Sequence, residues 1–281
     1  MNIAEWLAAS ARARPEAPAL LTGFERDADY ETFAQRAAAI GAALSRDYGI
    51  AAGDRVALFA GNCTQYLECL YGIWWIGAVA IPINAKLHGR EAAWICSNGG
   101  ASLAFVSGDT IGALIEASDD LPAGMNLLSI DGGEYRKMRG GEGPSSPLER
   151  ADNDLAWLFY TSGTTGRPKG VMISHGNLMA MSLCYMADVD HATPDDAALY
   201  AAPISHGAGL YNFPITRMGG RHVVPESGGF DPEEVLNLGR QLDNVVMFAA
   251  PTMVRRLVDA AKRRGENGEG LRTIIYGGGP M

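Results

Sequence analysis

The sequence predicts an α/β fold, with layered, largely parallel sheets flanked by helices. Short apolar runs such as RVALFAG, AVAIPI and NVVMFAAP read as buried strands. Segments with apolar residues at helical spacing lie between them. The two kinds alternate along the chain, which is the pattern of parallel strands joined by crossover helices.

Residues 3–14 carry Ile3, Leu7 and Ala11 on one helical face, and Pro15 closes the turn. A second helix follows from Phe33, Ala37, Ile40 and Leu44 in YETFAQRAAAIGAALSRDYGI. The turn AAGD leads into a strand over 55–60. Asn62 is then expected to cap a helix running to residue 76, ahead of the strand AVAIPI. A helix over 91–98 and a strand over 102–107 come next. Residues 121–150 are rich in Gly, Pro, Ser and Asp and read as an exposed connection. DLAWLFY and VMISH are strands on either side of a polar loop, and a helix starts near Gly176. ALYAAP, RHVVPE, a helix over 232–242, NVVMFAAP, a helix over 252–264 and RTIIYGGGPM complete the alternation.

The chain has 281 residues, enough to bury roughly 75% of its unfolded surface without staples. Its net charge of −9 argues against a nucleic-acid partner, which calls for a basic stripe. Cys63, Cys69, Cys96 and Cys184 show neither CxxC pairing nor metal spacing, so free thiols in a reducing cytoplasm are expected. The most apolar stretch, CLYGIWWIGAVAIPI, is too short to cross a bilayer.

YTSGTTGRPKGVMISHGN, residues 160–177, is the stretch most charged with chemistry. Gly163, Gly166 and Gly170 permit positive φ and let neighbouring N–H groups converge as an anion nest. Thr161, Ser162, Thr164 and Thr165 add hydroxyl donors, and Lys169 adds a mobile charge that Pro168 helps to aim. Clustered anionic oxygens, a polyphosphate, are the matching ligand. The GxxxxGK[ST] loop does not fit, since Gly170 follows Lys169 and the exit VMI is extended. That also speaks against a P-loop kinase.

YTSGTTGRPKGV closely resembles the phosphate-loop signature of the AMP-forming adenylating enzymes: acyl-CoA synthetases, peptide-synthetase adenylation domains and luciferases. APISHGAGL, APT at 250–252 and YGGGPM follow in that family's order, so the resemblance spans essentially the whole chain. It implies the N-terminal part of the large adenylation domain, as in acyl-CoA synthetases. It also implies ATP-dependent activation of a fatty or aromatic carboxylic acid, with CoA displacing AMP in the ligase branch. Thr161 to Lys169 are then expected to grip the triphosphate, with Thr164 helping to hold Mg²⁺. Gly277, Gly278, Gly279 and Pro280 match the segment packed against adenine, and His206 matches a residue near the reacting carboxylate. Residues 207–213 would line the acyl pocket.

The expected partners are a small-molecule carboxylate, ATP and CoA, with no nucleic acid, no transmembrane segment and a homodimer as an open option. Ser205–His206 could suggest a hydrolase, but Pro203 stands where GxSxG needs its first glycine. The family's ribose-binding Asp, its metal-binding Glu and the small C-terminal domain with a second lysine all follow the GGGP segment. The 281 residues are therefore expected to be a first half with little activity of its own. A nucleotide-binding or interaction module without turnover is the alternative.

Overall fold

The computed structural model describes residues 1–161 and 168–279, and its chain folds into two units. The strands, in chain order, are β1 (Pro18–Thr22), β2 (Glu25–Asp29), β3 (Arg55–Ala60), β4 (Val79–Asn84), β5 (Ala101–Val106) and β6 (Asn126–Ser129). They continue as β7 (Leu155–Thr161), β8 (Lys169–Ser174), β9 (Ala197–Leu199), β10 (Arg221–Val224), β11 (Val245–Ala249) and β12 (Leu271–Tyr276).

The first unit gathers Met1–Ala8, Ala34–Gly61 and Gln65–Ala180. Its sheet has the order β6-β5-β3-β4-β7-β8, parallel throughout except for β8, which returns antiparallel to β7. β3 and β4 are buried along nearly their full length. A parallel sheet covered on both faces has no solvent side, so its strands read as unbroken apolar runs. β8 lies at the edge of the sheet, and its Val171 and Met172 are exposed.

The segment 121–150 differs from the expected exposed connection. Within it β6 pairs parallel to β5, and the helix Gly133–Arg139 buries Tyr135 and Met138. The cause is Glu68, a buried carboxylate on the helix Thr64–Trp75. It accepts from Arg36 at 2.9 Å and from the Tyr135 hydroxyl at 2.5 Å, and Arg139 lies 3.3 Å away. A buried charge is tolerated only when paired and hydrogen-bonded. Two of its three partners come from the segment whose composition reads as loop.

The second unit gathers Ala9–Phe33, Asn62–Thr64 and Met181–Met281. Its sheet has the order β12-β11-β9-β10-β1-β2, again parallel except for the edge strand β2. The β1–β2 hairpin is absent from the sequence reading, because the polar ERDAD resembles a strand only at a solvated edge. The helix Pro232–Leu242 forms with the expected bounds. Asp231 caps it by accepting from the Glu233 and Glu234 amides, and Pro232 sits where no amide partner is needed. Its Val235, Leu238 and Leu242 pack with Val245, Met247 and Leu257 in this unit's core.

No helix among the described residues is long and apolar enough to cross a membrane. None of the four cysteines forms a disulfide.

Candidate functional site

In the first unit the chemistry-rich stretch is the tip of a β-hairpin. β7 and β8 pair with Tyr160 opposite Gly170 and Thr161 opposite Lys169. Directly opposed residues of an antiparallel ladder project from the same face, so the Thr161 hydroxyl and the Lys169 ammonium share one side of the hairpin mouth. Both are exposed. The chain leaves Lys169 as a strand, as VMI predicts, and no helix starts there. Ser162, Gly163, Thr164, Thr165 and Gly166, and with them the expected nest and the expected metal-holding hydroxyl, lie outside the described residues.

Gly170 corrects one expectation: its φ is not positive. Its missing side chain serves the cross-strand neighbour instead. A Cβ there would stand 3.0 Å from Cζ of Tyr160, whose ring lies across the ladder. Tyr160 is itself anchored, donating to Asn98 Oδ1 at 2.7 Å and meeting Trp94 edge-on at 6.2 Å. Burial raises its pKa, so the hydroxyl stays a donor. The base of the hairpin is thereby fixed one residue below Thr161 and Lys169.

In the second unit, His206 and the glycine run both leave the carboxyl ends of parallel strands, after β9 and after β12. Ligand sites of open α/β sheets lie at that end. His206 is half-buried, at the N-cap of the short helix Gly207–Leu210. Its Nδ1 lies 3.0 Å from Ser205 Oγ. Burial lowers its pKa, so the ring is neutral at pH 7. Ser205 is itself buried, which removes it as a solvent-facing nucleophile.

Phe248 on β11, hidden within an apolar run, joins the two segments. A Cβ on Gly207 would stand 2.8 Å from its Cζ, and one on Gly277 would stand 3.4 Å from its Cε2. Tyr211 stacks on the same ring at 5.9 Å and 17°, and Tyr185 meets Tyr211 edge-on at 5.4 Å. Gly278 has φ +83°, and a Cβ on Gly278 or Gly279 would have no neighbour within 4 Å. A flat ring can approach there. Pro280 lies outside the described residues.

Asn62 also departs from its expected role. Instead of serving as a helix cap, its amide donates to the carbonyls of Tyr200 and Ala202 at 2.7 and 2.9 Å and accepts from the Ile204 amide at 2.9 Å. It ties down the strand exit that carries His206. Among the described residues no three His, Cys, Asp or Glu side chains group as a metal site.

The chain is similar to known proteins along its whole length. Feruloyl-CoA synthase of Amycolatopsis sp is 32% identical over 285 residues, covering 100% of this chain and 55% of that protein. Crotonobetaine/carnitine–CoA ligase of Salmonella typhi is 37% identical over 142 residues, covering 46% of this chain and 27% of that protein. The chain thus spans about half the length of the feruloyl-CoA synthase it matches. Among solved structures, the inhibitor-bound N-terminal domain of FACL13 from Mycobacterium tuberculosis superposes with a TM-score of 0.88 at 25% identity, over 100% of this chain and 70% of that one. ATP-bound MatB from Rhodopseudomonas palustris gives 0.83 at 26%, over 100% and 56%. The profile described as AMP-binding enzyme matches residues 7–281, and the protein belongs to that family.

Proposed function

We propose that these residues form the nucleotide-gripping part of an ATP-dependent acid–CoA ligase. Such an enzyme converts a carboxylic acid to an acyl-adenylate with release of pyrophosphate, and CoA then displaces AMP to give the thioester. The observation that carries this reading is the pairing of Thr161 with Lys169 at the mouth of a Gly/Ser/Thr loop.

The attacking carboxylate and the triphosphate are both anionic, so the reaction needs positive charge fixed where the leaving pyrophosphate develops. Lys169 supplies a cation at a strand end, and Thr161 supplies a hydroxyl donor on the same face. Mg²⁺, when bound with ATP, would neutralise further phosphate charge, with Thr164 as the proposed protein ligand. The open space beside Gly278 and Gly279 suits the adenine ring. Neutral His206 can hydrogen-bond the reacting carboxylate without trapping it as an ion pair. The ring cluster of Tyr185, Tyr211 and Phe248 in the same unit as His206 favours an aromatic carboxylate over a fatty one, in keeping with the likeness to feruloyl-CoA synthase. Four cysteines without a disulfide suit a reducing cytoplasm.

The 281 residues by themselves are proposed to show little adenylating activity, because the resemblance assigns the ribose clamp and second lysine to the remaining length of the relatives. Carboxylate-dependent ATP–pyrophosphate exchange tests the reading, using a protein extended to the relatives' full length and a panel of aromatic and fatty acids. Exchange with no member of the panel, combined with calorimetric binding of ATP, would leave a nucleotide-binding module without turnover. No nucleotide binding at all would end the proposal.

A further inference from the structure

The parallel strands of the second unit also have an amino end. Pro18 opens β1 and Arg221 opens β10, while Pro194–Asp195 and Asn244 precede β9 and β11. These residues line a pocket of about 400 Å³. At 3.3–3.4 Å per residue, roughly 15 Å of strand separates it from the ends that carry His206 and Gly277.

Two guanidinium groups dominate the wall. Arg221 is half-buried, and its Nη2 donates to the carbonyls of Asp195 at 2.5 Å and Asp243 at 3.3 Å. Both acceptors are neutral, and among the described residues no carboxylate lies within ion-pair distance of Arg221 or of Arg14. Asp196, the neighbouring acid, is committed to Arg272 at 2.9 and 3.0 Å. Burial is the largest influence on Arg221 and lowers its pKa, while the charges of Asp195, Asp196 and Asp243 act in the opposite direction. Arg14 reaches the same pocket past Gly219, where a Cβ would stand 3.2 Å from Arg14 Cδ. Asn244 of the lining and its neighbour Asp243 have φ +51° and +58°, in the region that Asn and Asp enter more readily than most residues.

A half-buried guanidinium with no carboxylate at ion-pair distance, lining a concave pocket together with a second arginine, offers planar donors to an anion. We propose that this pocket binds a small soluble anion carrying phosphate, held between Arg14 and Arg221. A concave site between strand ends suits a free phosphate compound better than a flat lipid surface. The Asp195 carboxylate on the rim limits the affinity and disfavours bulky polyanions. The inference does not depend on the ligase reading.

Isothermal titration of the 281-residue chain with sodium pyrophosphate, in chloride buffer, tests it. Arg14→Ala, an exposed position whose loss leaves the fold intact by circular dichroism, should weaken binding about tenfold or more. Arg221→Lys should weaken it as well, and Asp195→Asn should tighten it severalfold. In a Lys169→Ala background, which removes the hairpin's own proposed phosphate contact, the Arg14-dependent binding should persist. Absence of binding, binding indifferent to Arg14, or binding lost only with Lys169 would overturn the proposal. So would sedimentation with phosphatidylcholine vesicles containing phosphatidic acid when pyrophosphate does not bind.

Discussion

Thr161 and Lys169 face each other across the β7–β8 ladder, as the last residue of one strand and the first of the next. The pairing sets the Thr161 hydroxyl and the Lys169 ammonium one residue beyond the Tyr160–Gly170 pair, where Tyr160 is anchored on Asn98.

Loss of the Lys169 charge should show in the chemistry more than in the fold. In a protein of the relatives' full length, Lys169→Ala is expected to slow carboxylate-dependent ATP–pyrophosphate exchange by about 10²-fold or more. Unaltered exchange would take Lys169 out of the reaction.

Contact between Gly207 and Phe248 predicts a size-coupled pair. Gly207→Ala places a methyl 2.8 Å from the Phe248 ring, and such overpacking costs about 1–3 kcal/mol. Phe248→Leu in the same chain should recover part of that cost. Additive denaturation midpoints for the two changes would show that the segments do not meet there.

Asn62→Ala removes three hydrogen bonds and leaves the carbonyls of Tyr200 and Ala202 and the Ile204 amide unpaired. A loss of about 2–3 kcal/mol is expected, on the scale for stranded, partly buried polar groups. Urea unfolding measures it, and a change under half of that would mean that Asn62 does not hold the His206 segment.

Two buried histidines predict sensitivity to acid. Burial is the main cause that pulls His175 down to about 4, with Arg150 adding to it, and burial pulls His222 down to about 3. His175 Nδ1 accepts from the Ile3 amide at 3.1 Å, and His222 lies between the Tyr200 and Thr216 hydroxyls at 2.7 and 3.1 Å. Both rings fold neutral, whereas the unfolded chain takes up protons near pH 6.5. Their stabilising effect is thus complete above pH 6.5 and lost as the pH falls through 4 and then 3, about 3 kcal/mol for His175. Urea midpoints between pH 7 and 4 should fall less steeply for His175→Gln than for the parent chain. Parallel curves would exclude His175.

The alternating architecture was legible because most central strands are buried on both faces, so their apolar runs stand out against helical spacing. The hairpin was legible for a similar reason, since VMI has no helical pattern and follows a Gly-rich turn. Asn62 misleads because an Asn just before a helix usually caps it, and its actual partners lie 138 to 142 positions away. Residues 121–150 mislead because their Gly, Pro and Ser content hides Tyr135 and Arg139, which are ordered by the distant Glu68. Phe248 gives no local signal at all. Its importance comes from two glycines that approach it from separate strand ends.

The rim position of β8 has a practical corollary. Its outward amides and the bare Val171 and Met172 side chains offer a template on which another chain could lengthen the sheet, and lysine is a residue that discourages such stacking. Neutralising Lys169 therefore removes a gatekeeper as well as the charge proposed to meet the phosphates. Self-association of a Lys169→Ala preparation would mimic an inert enzyme, so its sedimentation behaviour belongs beside its rate.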